Sequence, residues 1–102
     1  MKIQWTDNAI KDLNAIYDFY SVKSIAAAIK LYNTILDETY PLSFHPQMAP
    51  IEPILSEKSE TFRSLVVASG KYKVIYFVKY DQINITHVWD CRKDPGRLSV
   101  DR

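Results

Sequence analysis

An alternating segment in the C-terminal half of the sequence limits the possible folds more than any other feature. Lys71–Tyr80 is rich in Val, Ile, Tyr and Phe and alternates in character, which is typical of a β-strand. A tight turn predicted at Asp81-Gln82 leads into a second β-rich run, Ile83–Asp90. Two such runs joined by a short polar turn predict an antiparallel hairpin.

Because side chains alternate along a strand, each strand of this hairpin has two faces. In the first strand, the Tyr and Val face suits packing beneath helices, whereas the other face mixes cations with apolar side chains, as an exposed binding face would. The first face holds Tyr72, Val74, Tyr76, Val78 and Tyr80, and the second holds Lys71, Lys73, Ile75, Phe77 and Lys79. In the second strand, alternation predicts that Ile83, Ile85, His87 and Trp89 share one side. The alternation of side chains alone leaves open which side of this second strand meets the helices.

The first 40 residues predict a short strand and a pair of helices. Lys2–Trp5 alternates polar and apolar residues, and Thr6 begins a run of capping residues. Apolar residues then recur at helical spacing over 9–20 and again over 25–40, and Pro41 ends the second segment. The two segments predict a helical hairpin.

The connector between the helices and the C-terminal hairpin is rich in proline. Residues 41–61 hold four of the five prolines, which favours an ordered loop or edge segment over a central strand. Phe62–Ala68 then predicts one more strand. The resulting order, β-α-α-β-β-β, predicts an α+β fold in which an N-terminal helical hairpin packs on one face of an antiparallel sheet. On size alone, residues 1–102 form a single domain.

Charge is unevenly distributed along the chain. Residues 61–102 hold eight Lys and Arg against four Asp, a net charge of +4, whereas residues 1–60 hold five Lys against eight acids, a net charge of −3. Arg92, Lys93 and Arg97 lie close together after the last predicted strand. A basic end suggests an anionic partner.

Several functional classes are disfavoured by composition. The longest fully apolar runs, such as Val74–Val78, are far shorter than the ~20 residues of a membrane span, so no membrane partner is expected. The first residues have no apolar signal core, and the single cysteine, Cys91, suits a reducing cytoplasm. Since His45 and His87 lie far apart in sequence, we expect neither a structural metal nor a cofactor.

A series of short motifs spans nearly the whole chain. In order, they are Trp5-Thr6, Ala9-x-x-Asp12-Leu13-x-x-Ile16-x-x-Phe19-Tyr20, Tyr72-Lys73-Val74-Ile75-Tyr76 and Asp90-x-Arg92-x-Asp94-Pro95. Their order and spacing resemble those of the RelE/ParE superfamily, the toxins of bacterial type II toxin–antitoxin (plasmid stabilisation) modules. The resemblance implies the fold derived above and a cognate antitoxin that covers the functional face. It is compatible with a homodimer or with a toxin–antitoxin hetero-oligomer.

The resemblance also implies site residues. By position, Lys73, Arg63 and Arg92 stand where ribosome-dependent members hold the cations of a metal-independent mRNA-cutting site. The face on which an antitoxin is expected to lie, together with the tail, comprises Lys71, Ile75, Phe77, Lys79, Lys93 and Arg97. Other members of the superfamily lack the nuclease site and poison DNA gyrase by binding it.

The sequence departs from the nuclease pattern in two ways that bear on the choice between mRNA cleavage and gyrase binding. RNA cleavage through the 2′-hydroxyl needs an acid and a base besides phosphate-binding cations, yet no His or Tyr follows Trp89. His87 is the remaining acid–base candidate, and a structural role on its strand face is the alternative. Lys73 also lacks the bidentate geometry of arginine. The sequence thus leaves three hypotheses open: an mRNA endonuclease acting on the ribosome, a non-enzymatic gyrase poison, and a non-toxic binding module.

Overall fold

The computed structural model describes residues 1–55 and 58–93. Its helices and strands are β1 (Lys2–Trp5), α1 (Asp7–Ser21), α2 (Ile25–Thr39), β2 (Arg63–Val67), β3 (Tyr72–Lys79) and β4 (Gln82–Asp90). Short 3-10 turns cover Tyr40–Ser43 and Pro53–Leu55 within the connector. This order confirms the predicted α+β fold.

The four strands form one sheet in the order β1-β4-β3-β2. Strand β3 pairs with both β2 and β4 in antiparallel fashion, as the hairpin pattern predicts. Strand β1 instead lies parallel to the first half of β4, with Lys2 opposite Gln82 and Trp5 opposite Ile85. The sheet is therefore antiparallel except at this edge, and the second half of β4 extends beyond β1.

Thr6 fixes the junction between β1, α1 and β4. Its backbone N–H donates to the Ile85 carbonyl at 3.0 Å, and its hydroxyl donates to the same oxygen at 2.8 Å. The hydroxyl oxygen also accepts from the Ala9 N–H at 3.3 Å, which makes Thr6 the N-cap of α1. One side chain thus both begins the helix and attaches it to the sheet.

The main core lies between the helical hairpin and one face of the sheet. The two helices meet through an edge-to-face contact between Tyr17 and Tyr32, whose ring centroids are 6.3 Å apart. Tyr76 is fully buried in this core, and its hydroxyl donates to the Pro46 carbonyl at 2.8 Å, so its polar atom is satisfied. Other fully buried members of the core include Ala9, Ile35, Leu42, Val74, Ile83 and Ile85.

A β-bulge at Thr86 interrupts the side-chain alternation predicted for the last strand. Ile75 lies opposite His87, but the next residue, Tyr76, lies opposite Ile85, so Thr86 is an extra residue in β4. Because one inserted residue reverses side-chain parity, Ile85 faces the helices whereas His87 faces away from them. The prediction that Ile83, Ile85, His87 and Trp89 share one side is wrong for this reason.

The hairpin turn lies one residue earlier than the sequence predicts. Tyr80 and Asp81 form the loop between Lys79 and Gln82, and both have left-handed φ values, 56° and 54°. Two successive residues with positive φ are typical of a type I′ turn, whose twist matches that of the flanking strands. Aspartate tolerates this conformation, whereas tyrosine gives no such signal in the sequence.

We expect Thr6→Ala to lower the free energy of unfolding by about 1–2 kcal/mol, because it removes the N-cap of α1. It also removes the hydroxyl donor to Ile85. Urea denaturation, with the slope of the transition unchanged, measures the loss. Thr6→Ser is the matched control, since it keeps the hydroxyl and should lose less than half as much. Equal losses in the two variants would contradict a role for the hydroxyl.

Candidate functional site

The sheet separates the three cations that the sequence assigns to one catalytic group. Lys73 lies opposite Trp89 and Val66 on the face directed away from the helices, which we call the outer face. Arg63 lies opposite Tyr76 and therefore shares the helix-facing side. Its guanidinium Nη1 donates to the Ala49 carbonyl at 2.8 Å. The structure thus does not bring Arg63 and Lys73 together.

The Lys73 ammonium is paired with a carboxylate from the connector. Its Nζ contacts Oε1 of Glu52, and the two side chains are only 18% and 4% exposed. Glu52 in turn lies beside β2, where its N–H donates to the Phe62 carbonyl at 2.8 Å. Since a carboxylate this buried requires a partner, Lys73 serves as its counter-ion.

Ile75 and Phe77 are buried on the outer face, although the sequence predicts an exposed binding face there. Ile75 is fully buried and Phe77 is 7% exposed. They form a second core with Leu55 and Phe62 of the connector, and the Phe62 and Phe77 ring centroids are 5.4 Å apart. The expected exposure is wrong because the proline-rich connector folds back over this face. A binding role for the two residues stays a prediction that requires the connector to move away.

The other lysines of β3 differ in exposure. Lys79 is 40% exposed, and its Nζ lies 3.1 Å from Oε1 of Glu60. It also lies 5.2 Å from the centroid of the Tyr80 ring, within cation–π distance. Lys71 is exposed just before the strand, and its carbonyl accepts from the Cys91 N–H at 2.9 Å.

His87 lies on the outer face of β4, directly opposite Ile75. Its Nδ1 is buried and has no hydrogen-bond partner among the described residues. The side chain as a whole is half-buried, so the acid–base role of His87 stays a prediction.

A groove of about 530 Å³ runs between α1 and the part of β4 that extends beyond β1. Phe19 and Trp89 contribute apolar surface, and Arg92 and Lys93 contribute positive charge. Asp12, Ala15, Ile16, Tyr72, His87, Val88 and Asp90 complete the lining. Of the sequence-predicted site residues, the groove brings together Arg92, Lys93 and His87. Arg97 lies outside the described residues.

Asp90 and two tyrosines orient Arg92 in this groove. Its Nε and Nη2 donate to the two Asp90 carboxylate oxygens at 2.9 and 3.0 Å, a bidentate arrangement. Nη2 also lies 3.2 Å from the Tyr72 hydroxyl and 3.5 Å from that of Tyr20. The hydrogen bonds that Asp90 accepts from the Arg92 side chain hold the pKa of Asp90 below its ordinary value. Hydrogen bonds from Tyr72 and Arg92 likewise lower the pKa of the Tyr20 hydroxyl.

Asp12 closes the open edge of β4 beside the groove. Its Oδ2 accepts from the Val88 N–H at 2.9 Å, so α1 satisfies a backbone donor that has no strand beside it among the described residues. Burial raises the pKa of this carboxyl above its ordinary value, against the lowering effects of the Val88 N–H, His87 and Lys93.

The sequence did not reveal Glu52, or Asp12 and Tyr20 as polar contacts. Glu52 lies between two prolines, and no local pattern indicates that it meets Lys73. Asp12 is a polar residue within the apolar spacing of α1, which is a weak signal that it faces something other than solvent. Tyr20 is predicted as a packing residue from helical spacing, and its hydroxyl contact depends on the position of Arg92 in space.

Comparisons with known proteins agree with this architecture. A family model described as "ParE toxin of type II toxin-antitoxin system, parDE" matches residues 3–95. A solved structure described as "Chromosomal ParDE TA system from P. aeruginosa" superimposes with a TM-score of 0.73 at 29% sequence identity. That match covers 88% of this chain and 95% of the other. No match was found among curated proteins, and no described helix is long and apolar enough to cross a membrane.

Lys73→Met should lower the free energy of unfolding by about 3–5 kcal/mol, because it leaves the buried Glu52 carboxylate without its counter-ion. The double variant Lys73→Met/Glu52→Leu should recover most of this loss. Lys79→Met is the matched control and should cost no more than about 1 kcal/mol, since its pair is partly exposed. Urea denaturation of the wild type and these three variants measures the differences in the free energy of unfolding. A Lys73→Met loss no larger than that of Lys79→Met would contradict the buried pair.

The two carboxyls of the groove should titrate on opposite sides of 3.8, the ordinary Asp value. Asp90 favours its ionised form in the folded state, so its contribution to stability is present above pH 3.8 and is lost as the pH falls. Asp12 favours its protonated form, so its ionisation costs stability as the pH rises from 3.8 through its raised pKa. Carboxyl ¹³C chemical shifts measure both values.

Arg92→Gln separates the causes of these two shifts. The pKa of Asp90 should rise towards its ordinary value, because Arg92 is the largest cause of its shift. The pKa of Asp12 should stay raised, because it depends on burial. Parallel movement of the two values would refute this assignment.

Proposed function

The chain belongs to the ParE family of type II toxins, and from that premise we propose that it acts in the cytoplasm by binding DNA gyrase rather than by cutting mRNA. A cognate antitoxin neutralises it. The observation that carries this choice is the position of Lys73, which is engaged by the buried Glu52 carboxylate on the outer face. Arg63 lies on the opposite face of the sheet.

This separation disfavours a phosphoryl-transfer site at the positions inferred from the superfamily. Such a site needs several cations converging on one phosphorane, with an acid and a base within hydrogen-bond reach. Lys73 and Arg92 each have a carboxylate partner, and Arg63 donates to a backbone carbonyl. His87 lies on the outer face of β4, opposite Ile75, whereas Arg63 lies on the helix-facing side.

Recognition of a protein target is supported by the tip of the helical hairpin. Phe19, Val22 and Ile25 lie around the turn between α1 and α2 and are 72%, 85% and 61% exposed. Large apolar side chains clustered in solvent are typical of a protein–protein contact. The similar solved structure is described as a ParDE toxin–antitoxin system, which supports an antitoxin partner for this chain. Acidic side chains of that antitoxin would pair with Arg92 and Lys93 in the groove.

One observation favours mRNA cleavage as a second candidate function. The Tyr20 hydroxyl lies beside the Arg92 guanidinium, and its pKa is lowered by Tyr72 and Arg92. A tyrosine poised in this way could accept a proton while the arginine stabilises phosphate charge. This geometry favours the groove over the outer face for any nuclease site.

Induced expression together with a purified supercoiling assay distinguishes the two functions. Phe19→Ser/Val22→Ser should weaken gyrase inhibition by about tenfold or more, because it truncates the proposed anchors. Tyr40→Ser/Val66→Ser is the matched control, since these residues are similarly exposed elsewhere and should leave inhibition unchanged. Lys73→Met/Glu52→Leu should stay toxic, with cellular mRNA intact.

Three outcomes would overturn the proposed function or the contact assigned to it. Cleaved mRNA that becomes intact with Tyr20→Phe would establish the nuclease function. Full-strength gyrase inhibition by Phe19→Ser/Val22→Ser would exclude the hairpin tip as the contact. Growth unaffected by the wild-type chain, expressed without antitoxin, would leave a binding module as its function.

A further inference from the structure

The outward face of α1 carries a line of exposed side chains that runs along the helix to its C-cap, Val22. Lys11, Ala15, Asp18 and Val22 alternate at spacings of four and three residues, so they share one face of the helix. All four are exposed, and Phe19, which flanks this line, is 72% exposed. We call these five residues the α1 stripe. The opposite face of α1 packs into the main core, so the α1 stripe is not used by the fold.

The two charges of the α1 stripe are not paired with each other or with the rest of the described chain. The Lys11 ammonium and the Asp18 carboxylate form no ion pair within residues 1–55 and 58–93. They are seven residues apart, about 10.5 Å along the helix, whereas side chains that meet on one helix are three or four residues apart. A carboxylate and an ammonium from another molecule would pair both.

A second copy of α1 that crosses the first in the antiparallel direction supplies both groups. With a two-fold axis at Ala15, a residue four positions before the axis meets residues three and four positions after it in the other copy. Lys11 of each copy then lies beside Asp18 and Phe19 of the other, where its ammonium can contact both the carboxylate and the aromatic ring. Ala15 meets Ala15 at the axis, and a methyl group there lets the two helices approach closely.

We propose that the α1 stripe is a homodimer interface, in which α1 packs antiparallel against α1 of a second copy. The order of cation, small residue and anion selects a second copy, because the same order read from the other end presents the opposite charges. Phe19 and Val22 add apolar area from both copies, which exposed ion pairs need if the contact is to be stable. The dimer covers these two residues and therefore excludes the gyrase contact, a consequence that alone rests on the proposed function.

Reversal of the two charges tests the proposal, with sedimentation equilibrium of the purified chain as the measurement. Lys11→Asp and Asp18→Lys should each raise the dimer Kd by about tenfold or more, because two attractive pairs become two repulsive ones. The double variant Lys11→Asp/Asp18→Lys again places opposite charges across the axis. Its Kd should return to within about threefold of the wild-type value, a recovery that unfolding of the single variants would not produce.

Lys30→Asp and Asp37→Lys on α2 are the matched controls. They change the same residue types at the same spacing of seven and at exposed positions. On α2, however, Asn33 stands between the two charges, and Glu38 follows Asp37 where Phe19 follows the acid on α1. The control variants should leave the dimer Kd unchanged. A wild-type chain that sediments as a monomer at every concentration, a double variant without recovery, or loss of the dimer in the controls would each overturn the proposal.

Ala15→Arg tests the position of the axis without altering either charge of the α1 stripe. Two arginines would meet at the axis and repel each other, so the variant should be monomeric at concentrations where the wild type is dimeric. Because Ala15 is exposed and arginine is a good helix former, the fold should be retained, which circular dichroism checks. Ala15→Ser is the control and should still dimerise. A dimer that persists in Ala15→Arg would contradict the assigned axis.

Discussion

The extra residue in β4 determines what each side of the C-terminal hairpin contacts. Before Thr86, Ile83 and Ile85 point into the core beneath the helices. After it, Val88 and Asp90 share that side, whereas His87 and Trp89 point to the outer face. The bulge is held by a hydrogen bond from the Thr86 hydroxyl to the Ile75 carbonyl at 3.2 Å and by the contact of Thr6 with the Thr86 carbonyl. Without this shift, Trp89 would enter the main core and Asp90 would leave the side on which it meets Arg92.

Local sequence signals were sufficient for the element order but not for the surface chemistry. Capping at Thr6, helical spacing and the ending at Pro41 each depend on residues close together in the chain, and these predictions are confirmed. The bulge depends on pairing between two strands, and a run of β-formers contains no mark of the extra residue. Glu52 and Lys73 lie 21 residues apart, and only the folded connector shows that they meet. The site predictions therefore placed on one exposed surface residues that the folded connector covers or the sheet divides.

The net positive charge counted in the C-terminal part of the sequence overstates the positive charge that the folded protein presents to an anionic partner. The basic end seen in the sequence includes Lys73, Lys79 and Arg92, and each of these has a carboxylate within contact distance. Two of the three carboxylates come from the acidic first 60 residues, so folding brings the opposite charges together. Long-range attraction for an anion is correspondingly weaker than the sequence suggests.

Asp12 has a consequence for the behaviour of the protein in concentrated solution. Within residues 1–55 and 58–93, the half of β4 beyond β1 has no strand beside it. An open edge of this kind is a template for pairing with another copy of the same chain. The Asp12 carboxylate occupies the Val88 N–H, and its charge would be trapped against any incoming strand. The Asp12 carboxylate thus disfavours aggregation through pairing of this strand edge with another copy. Asp12 and Val88 also line the groove. A partner that binds in the groove must therefore make its contacts there through side chains and not by adding a β-strand to β4.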